Sequence, residues 1–120
     1  MLVYACNDLL FASKIGSAAR AAGLVARPAR GAGALRARLD RVDDGRPSGP
    51  VSAVWVDLER ADALGLVRLA AGHAAAPAVL CFGPHVDVAG LRAAADAGAE
   101  ALPRGRFVAE LDARCAALRG

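Results

Sequence analysis

Short apolar runs alternate with stretches of helical periodicity, five of each, and that alternation narrows the fold more than any other feature of this chain. The runs are Leu2 to Cys6, Leu24 to Arg27, Ser52 to Val56, Ala78 to Phe82 and the weaker Ala99 to Leu102. The first, third and fourth are apolar almost without a break, which suits central strands of a parallel sheet covered on both faces. Between the runs, Leu35, Leu39 and Val42 recur at i, i+4 and i+7. Leu64, Val67 and Ala71 do the same with one step shifted, and Val108, Leu111, Cys115 and Leu118 line one side of a final helix. Ala22-Gly23, Gly72 and Ala97-Gly98 read as helix ends, while Asp8 and Asp57 stand where helices begin after the first and third strands.

Five β-α units in a row imply a parallel sheet with right-handed crossovers. The predicted fold is α/β, a (βα)5 flavodoxin-like three-layer sandwich with strand order 2-1-3-4-5. Such a sheet has its switch point between strands one and three, at their carboxyl ends, where ligands and chemistry gather. This sequence puts Asn7-Asp8 and Asp57-Leu58-Glu59 there.

Composition agrees with one domain over residues 1–120. The chain is 56% hydrophobic with a mean hydropathy of +0.35, too apolar for a disordered segment. About a quarter of it is alanine, which favours helix but buries little area, so Leu and Val must fill most of the core. The +3 net charge is a mild excess that does not point to nucleic acid or a membrane surface. No apolar run reaches the ~18 residues of a membrane span, and Met1 to Ala5 lacks the basic start of a secretory leader. Three separated cysteines, Cys6, Cys81 and Cys115, form no C-x-x-C, which argues against a zinc knuckle or a disulfide scaffold and for the cytoplasm. Asp43 to Pro50 reads as a loop rather than a domain linker.

Three pieces carry a resemblance. Val54-Trp55-Val56-Asp57-Leu58 looks like a strand ending in a phosphoacceptor aspartate, and Ala95-Asp96-Ala97-Gly98-Ala99-Glu100 looks like the turn before a fifth strand. The helix ending at Ala21-Ala22-Gly23 has the matching distance from strand one. In this order the chain resembles, over essentially its whole length, the receiver domain of bacterial response regulators in two-component phosphorelay signalling. The resemblance implies Asp57 as phosphoacceptor, Mg²⁺ held by hard oxygens from Asp8, Asn7 and Asp57, and Arg104 gripping the phosphoryl group in place of the usual lysine. It also implies a histidine kinase or a downstream effector as partner, and docking or homodimerisation through the helix 4–strand 5–helix 5 face, here Val86 to Leu118.

The chain departs from that pattern at most of its chemical positions. Counted back from Gly23, the acidic pair falls on Cys6 and Asn7. Counted from Pro77, the hydroxyl position falls on Phe82; the chain has no Thr, and none of its four Ser is near. Pro103 precedes Arg104 rather than following it, and Asp57 to Ala61 lacks the family's Pro-containing turn. The reading adopted is therefore a stand-alone, degenerate pseudo-receiver, not an enzyme, that works by protein–protein contact, with Asp57 as a helix N-cap. The alternatives are a working receiver phosphorylated on Asp57 with Mg²⁺, and a small-molecule or nucleotide binder at the switch-point crevice.

Other features weigh less. Gly31-Ala32-Gly33 starts like a dinucleotide fingerprint but follows strand two and lacks the third glycine. Arg20, Arg27, Arg30, Arg36, Arg38 and Arg41 cluster without interleaved aromatics, so a solvated face is expected rather than a nucleic-acid surface. His85 lies on the same rim as Asp57, and His73 near the end of the third helix. Cys6 sits at the rim as a candidate reactive thiol, with Cys81 and Cys115 in the core. No G-x-S-x-G elbow supports a hydrolase.

Overall fold

The structure, a computed structural model, describes residues 1–40 and 50–119. The elements are β1 (Leu2–Ala5), α1 (Leu9–Ala21), β2 (Ala26–Pro28), α2 (Ala32–Leu39), β3 (Ala53–Asp57), α3 (Ala63–Gly72), β4 (Ala78–Gly83), α4 (Val88–Asp96), β5 (Glu100–Pro103) and α5 (Arg104–Arg119). The five strands form one sheet in the order β2-β1-β3-β4-β5, as the alternation of runs predicts, and every pairing is parallel. Arg41, Val42 and the expected loop up to Gly49 lie outside the described residues.

Two cores sandwich the sheet. Val3, Val54, Val56 and Cys81 face one way and meet Leu35, Leu39, Leu66, Val67 and Ala94 of α2, α3 and α4. Leu2, Trp55, Leu80 and Phe82 face the other way and meet Phe11 and Ile15 of α1 with Phe107, Leu111 and Cys115 of α5. The period of two along each strand produces this division. The few aromatics are concentrated in the second core. Phe82 and Phe107 stack with centroids 4.3 Å apart, Phe11 lies 5.0 Å from Phe82, and Trp55 meets Phe107 edge-on at 5.2 Å. In a chain so rich in alanine, these rings provide much of the area that side wins from water. Gly98 fits the turn between α4 and β5, with φ at +112° and its Cα so close to α3 that a Cβ would stand 2.8 Å from that of Ala71.

Several expectations shift. The second strand runs Ala26–Pro28 rather than from Leu24, because the Leu24 amide is bonded to the Ala19 carbonyl in the exit from α1. Pro28 closes this edge strand, where a missing N–H costs least. The fifth strand begins at Glu100, since the Ala99 amide bonds Ala94 at the end of α4. In α3 the buried positions are Ala63, Leu66, Val67 and Ala70, one step from the expected Leu64–Ala71 stripe. In α5 they are Phe107, Leu111 and Cys115, while Val108 is 39% exposed. Two adjacent apolar residues satisfy a helical period equally well, and the larger ring takes the core. Asp57 is not a helix N-cap: it ends β3, and α3 starts only at Ala63, five residues beyond Leu58.

Two substitutions check the turn of α5. Phe107→Ala should lower unfolding free energy by about 3–5 kcal/mol in urea titrations. Val108→Ala should change it by less than about 0.5 kcal/mol, as at ordinary surface positions.

Candidate functional site

The carboxyl ends of β1, β3 and β5 bring Cys6, Asn7, Asp57 and Arg104 to one end of the sheet. Asp57 is 3% exposed and is the one buried charged residue among those described. An ionised carboxylate in such a place needs partners. Its Oδ1 accepts the Glu59 amide at 3.0 Å, and its Oδ2 accepts from the Cys6 thiol at 3.4 Å. Arg104, the first residue of α5, brings Nη2 to 3.0 Å from Glu59 Oε1 and 3.8 Å from Asp57 Oδ1. Its guanidinium lies over the Phe11 ring, 5.4 Å from the centroid, a cation–π contact that fixes its direction. Arg104 Nε is buried with no hydrogen-bond partner.

A second arginine, which the motif reading passes over, binds the loops together. Arg60 donates from Nη1 to Asn7 Oδ1 at 2.6 Å and from Nη2 to the Arg30 carbonyl at 3.0 Å. It also grips Asp62 bidentately at 2.8 and 3.0 Å, which holds the Asp62 carboxyl below the usual range. One guanidinium thus joins the stretches after β1, β2 and β3. The only sequence signal for it is a cation three residues past Asp57, faint in a chain where arginine is common.

Asp8 faces another way. Its Oδ1 caps α1 by accepting the amides of Leu10 at 2.9 Å and Phe11 at 3.2 Å, as its position before a helix predicts. Phe82 pairs with Asp57 in register, on the same face of the sheet, and its ring is fully buried in the aromatic stack. A ring therefore fills the flank of Asp57 where the resemblance calls for a hydroxyl. Burial, with the Asp57 carboxylate adding to it, pushes the Cys6 thiol up to about 11. At neutral pH Cys6 is a protonated donor toward Asp57, not a thiolate nucleophile.

The two histidines stay apart from this cluster. His85 is exposed on the stretch between β4 and α4. His73 closes α3, where its Nδ1 accepts the Ala75 amide at 2.9 Å and its Nε2 lies 2.6 Å from Asp40 Oδ1 at the end of α2. Gly31-Ala32-Gly33 opens α2.

As folded, the residues that the resemblance assigns to Mg²⁺ are already engaged by protein donors. Asp8 Oδ1 is taken by two amides, Asn7 Oδ1 by a guanidinium, and Asp57 by a thiol and an amide. Mg²⁺ needs hard oxygen donors in near-ideal octahedral array. Among the described residues, no three His, Cys, Asp or Glu side chains group as metal ligands.

With this geometry in place, comparison with known proteins is informative about the fold. No protein-family model matches the chain, and no curated protein does. Solved structures do. A response regulator from Thermotoga maritima superposes with a TM-score of 0.73 at 17% identity, over 98% of this chain and 96% of that one. An orphan response regulator of H. pylori gives 0.72 at 17% identity, over 100% and 97%. A response regulator from Burkholderia pseudomallei, solved with a phosphorylated aspartic acid and a calcium ion, gives 0.68 at 15% identity, over 98% and 69%. The chain has the fold of response-regulator receiver domains, a flavodoxin-like (βα)5 sandwich. No helix among the described residues is long and apolar enough to cross a membrane.

The raised thiol gives a pH test. Alkylation of Cys6 by iodoacetamide should follow an apparent pKa near 11. Asp57→Asn removes the neighbouring negative charge, so the thiolate should form at lower pH and alkylation at pH 8 should quicken. The sign for stability follows from the same shift. A thiol whose folded pKa is raised contributes stability that is whole below pH 9 and is lost as pH climbs through about 11.

Proposed function

We propose that this chain is a receiver-type signalling protein that works by protein–protein contact, with Asp57 serving as a structural carboxylate rather than as a metal-dependent phosphoacceptor. The observation that carries this reading is Arg60 on Asn7. A fixed guanidinium stands on the loop from which a receiver would hold its metal, and Cys6 replaces the carboxylate beside Asp57. Positive charge is thereby built into the chain, and the loops are tied together without a phosphoryl group to order them. Phe82 supports the same reading, because a ring cannot donate to a phosphoryl oxygen as a hydroxyl can.

The partner in this reading is a histidine kinase or a downstream effector. The surface proposed for it is the α4–β5–α5 face, which can equally bring two copies together. That face carries the ion pairs of Arg114 with Glu100 and Glu110 and of Arg106 with Glu110, and the exposed Val88 and Val108. A signal would reach it through abundance or competition for partners rather than through phosphorylation. The chain is not an enzyme in this account, and a cytoplasmic setting suits its three free thiols.

Incubation with acetyl phosphate and Mg²⁺, followed by intact-mass spectrometry, tests the proposal. The expected result is no phosphoryl adduct, with wild type and Asp57→Asn alike. An adduct that requires Mg²⁺ and is absent from Asp57→Asn would establish a working phosphoacceptor and overturn the reading.

A further inference from the structure

A cleft of about 530 Å³ opens between the first turns of α1 and the carboxyl ends of β1 and β2. That volume is in the range of sites for small organic molecules. Tyr4, Leu9 and Pro28 give it an apolar flank, Arg30 and Arg60 bring two cations, and no carboxylate among the described residues lines it. The two arginines differ in state. Arg60 is fixed by Asn7, Asp62 and the Arg30 carbonyl, and Asp62 offsets its charge. Arg30 is exposed and Tyr4 half-buried; neither side chain has a hydrogen-bond or ion-pair partner among the described residues. The fold therefore holds an unneutralised cation and a free phenol at one concave surface beside a rigid apolar flank.

We propose that this cleft binds a small organic anion, a molecule with one phosphate or carboxylate group and a flat apolar part. The anionic group pairs with the Arg30 guanidinium, which offers parallel donors to either kind of oxyanion. The flat part lies against Tyr4 and Pro28. The assignment uses neither Asp57 nor the α4–β5–α5 face, although Asn7 and Arg60 line the cleft as well. Cys6 lines the cleft and also bonds Asp57, so an occupant touches the buried carboxylate through a single thiol.

The test is a titration followed by ¹H–¹⁵N correlation spectra of the full chain, with AMP as the phosphate-bearing probe and benzoate as the carboxylate-bearing one. Adenosine and inorganic phosphate serve as the separate halves of AMP. At least one organic anion should shift the amides of Cys6, Asn7 and Arg30 saturably, and more tightly than adenosine or phosphate alone. Arg30→Gln removes an exposed side chain with no partner, so the spectrum elsewhere should stay unchanged while affinity falls about tenfold. Arg36→Gln, on the outer side of α2, should leave binding intact. The proposal fails if neither AMP nor benzoate gives saturable shifts at millimolar concentration. It also fails if the shifts persist undiminished in Arg30→Gln, or if phosphate binds as tightly as AMP and benzoate does not bind.

Discussion

A buried carboxylate sets the terms for one whole end of this molecule. Asp57 has lost nearly all contact with water, and the cost of that must be met by donors and positive charge within reach. The chain supplies a backbone amide from Glu59, a thiol from Cys6 and a guanidinium from Arg104. Each comes from a different element, so the parallel sheet is what makes the arrangement feasible. Only parallel strands deliver their carboxyl ends, and the loops that follow them, to the same edge. Arg104 is steered in turn by the Phe11 ring, which belongs to the aromatic stack with Phe82 and Phe107. The core on that side and the charge cluster above it are one continuous structure.

The second arginine acts on a different part of the same edge. Arg60 holds Asn7, Asp62 and the Arg30 carbonyl at once, with two of its four hydrogen bonds crossing to the loops after β1 and β2. In the proposed function this built-in cation makes metal unnecessary and removes the means by which a phosphoryl group would reorder the site. The cleft lies beside it, where the edge next to β2 is concave and lined by Arg30 and Arg60, with no acid among the described residues. The reversal of charge at this rim, from the acidic pair that the resemblance implies to a basic lining, links the two proposals chemically, and Asn7 and Arg60 belong to both.

The fold was legible because it depends on long-range patterns that survive small errors. Continuous apolar runs at Leu2, Ser52 and Ala78 suit central strands when helical stretches separate them, and 2-1-3-4-5 is the standard order for a five-stranded doubly wound sheet. What failed was phase. Val108 and Phe107 fit one helical period equally well, and side-chain size, not spacing, decided which was buried. Asp57 read as a helix cap because a carboxylate after a strand often is one, yet α3 starts later and Asp62 precedes it. The site was legible in its members Cys6, Asn7, Asp57 and Arg104, which topology brings to one edge. Their contacts were not, because a hydrogen bond between Asn7 and Arg60 spans 53 residues and no local pattern records it. Arg60 looked like any other arginine in a chain with many.

The central claim is that arginine, not a divalent metal, provides the positive charge at this edge. Titration of the ¹⁵N-labelled protein with Mg²⁺ tests it most directly, read at the amides of residues 6–8 and 57–60 and at the Arg60 Nε. The account predicts no saturable shift at these positions, and an Arg60 Nε signal that stays dispersed and slow to exchange throughout. Saturable shifts centred on Asn7, Asp8 and Asp57, with loss of the Arg60 signal as the guanidinium is displaced, would contradict it.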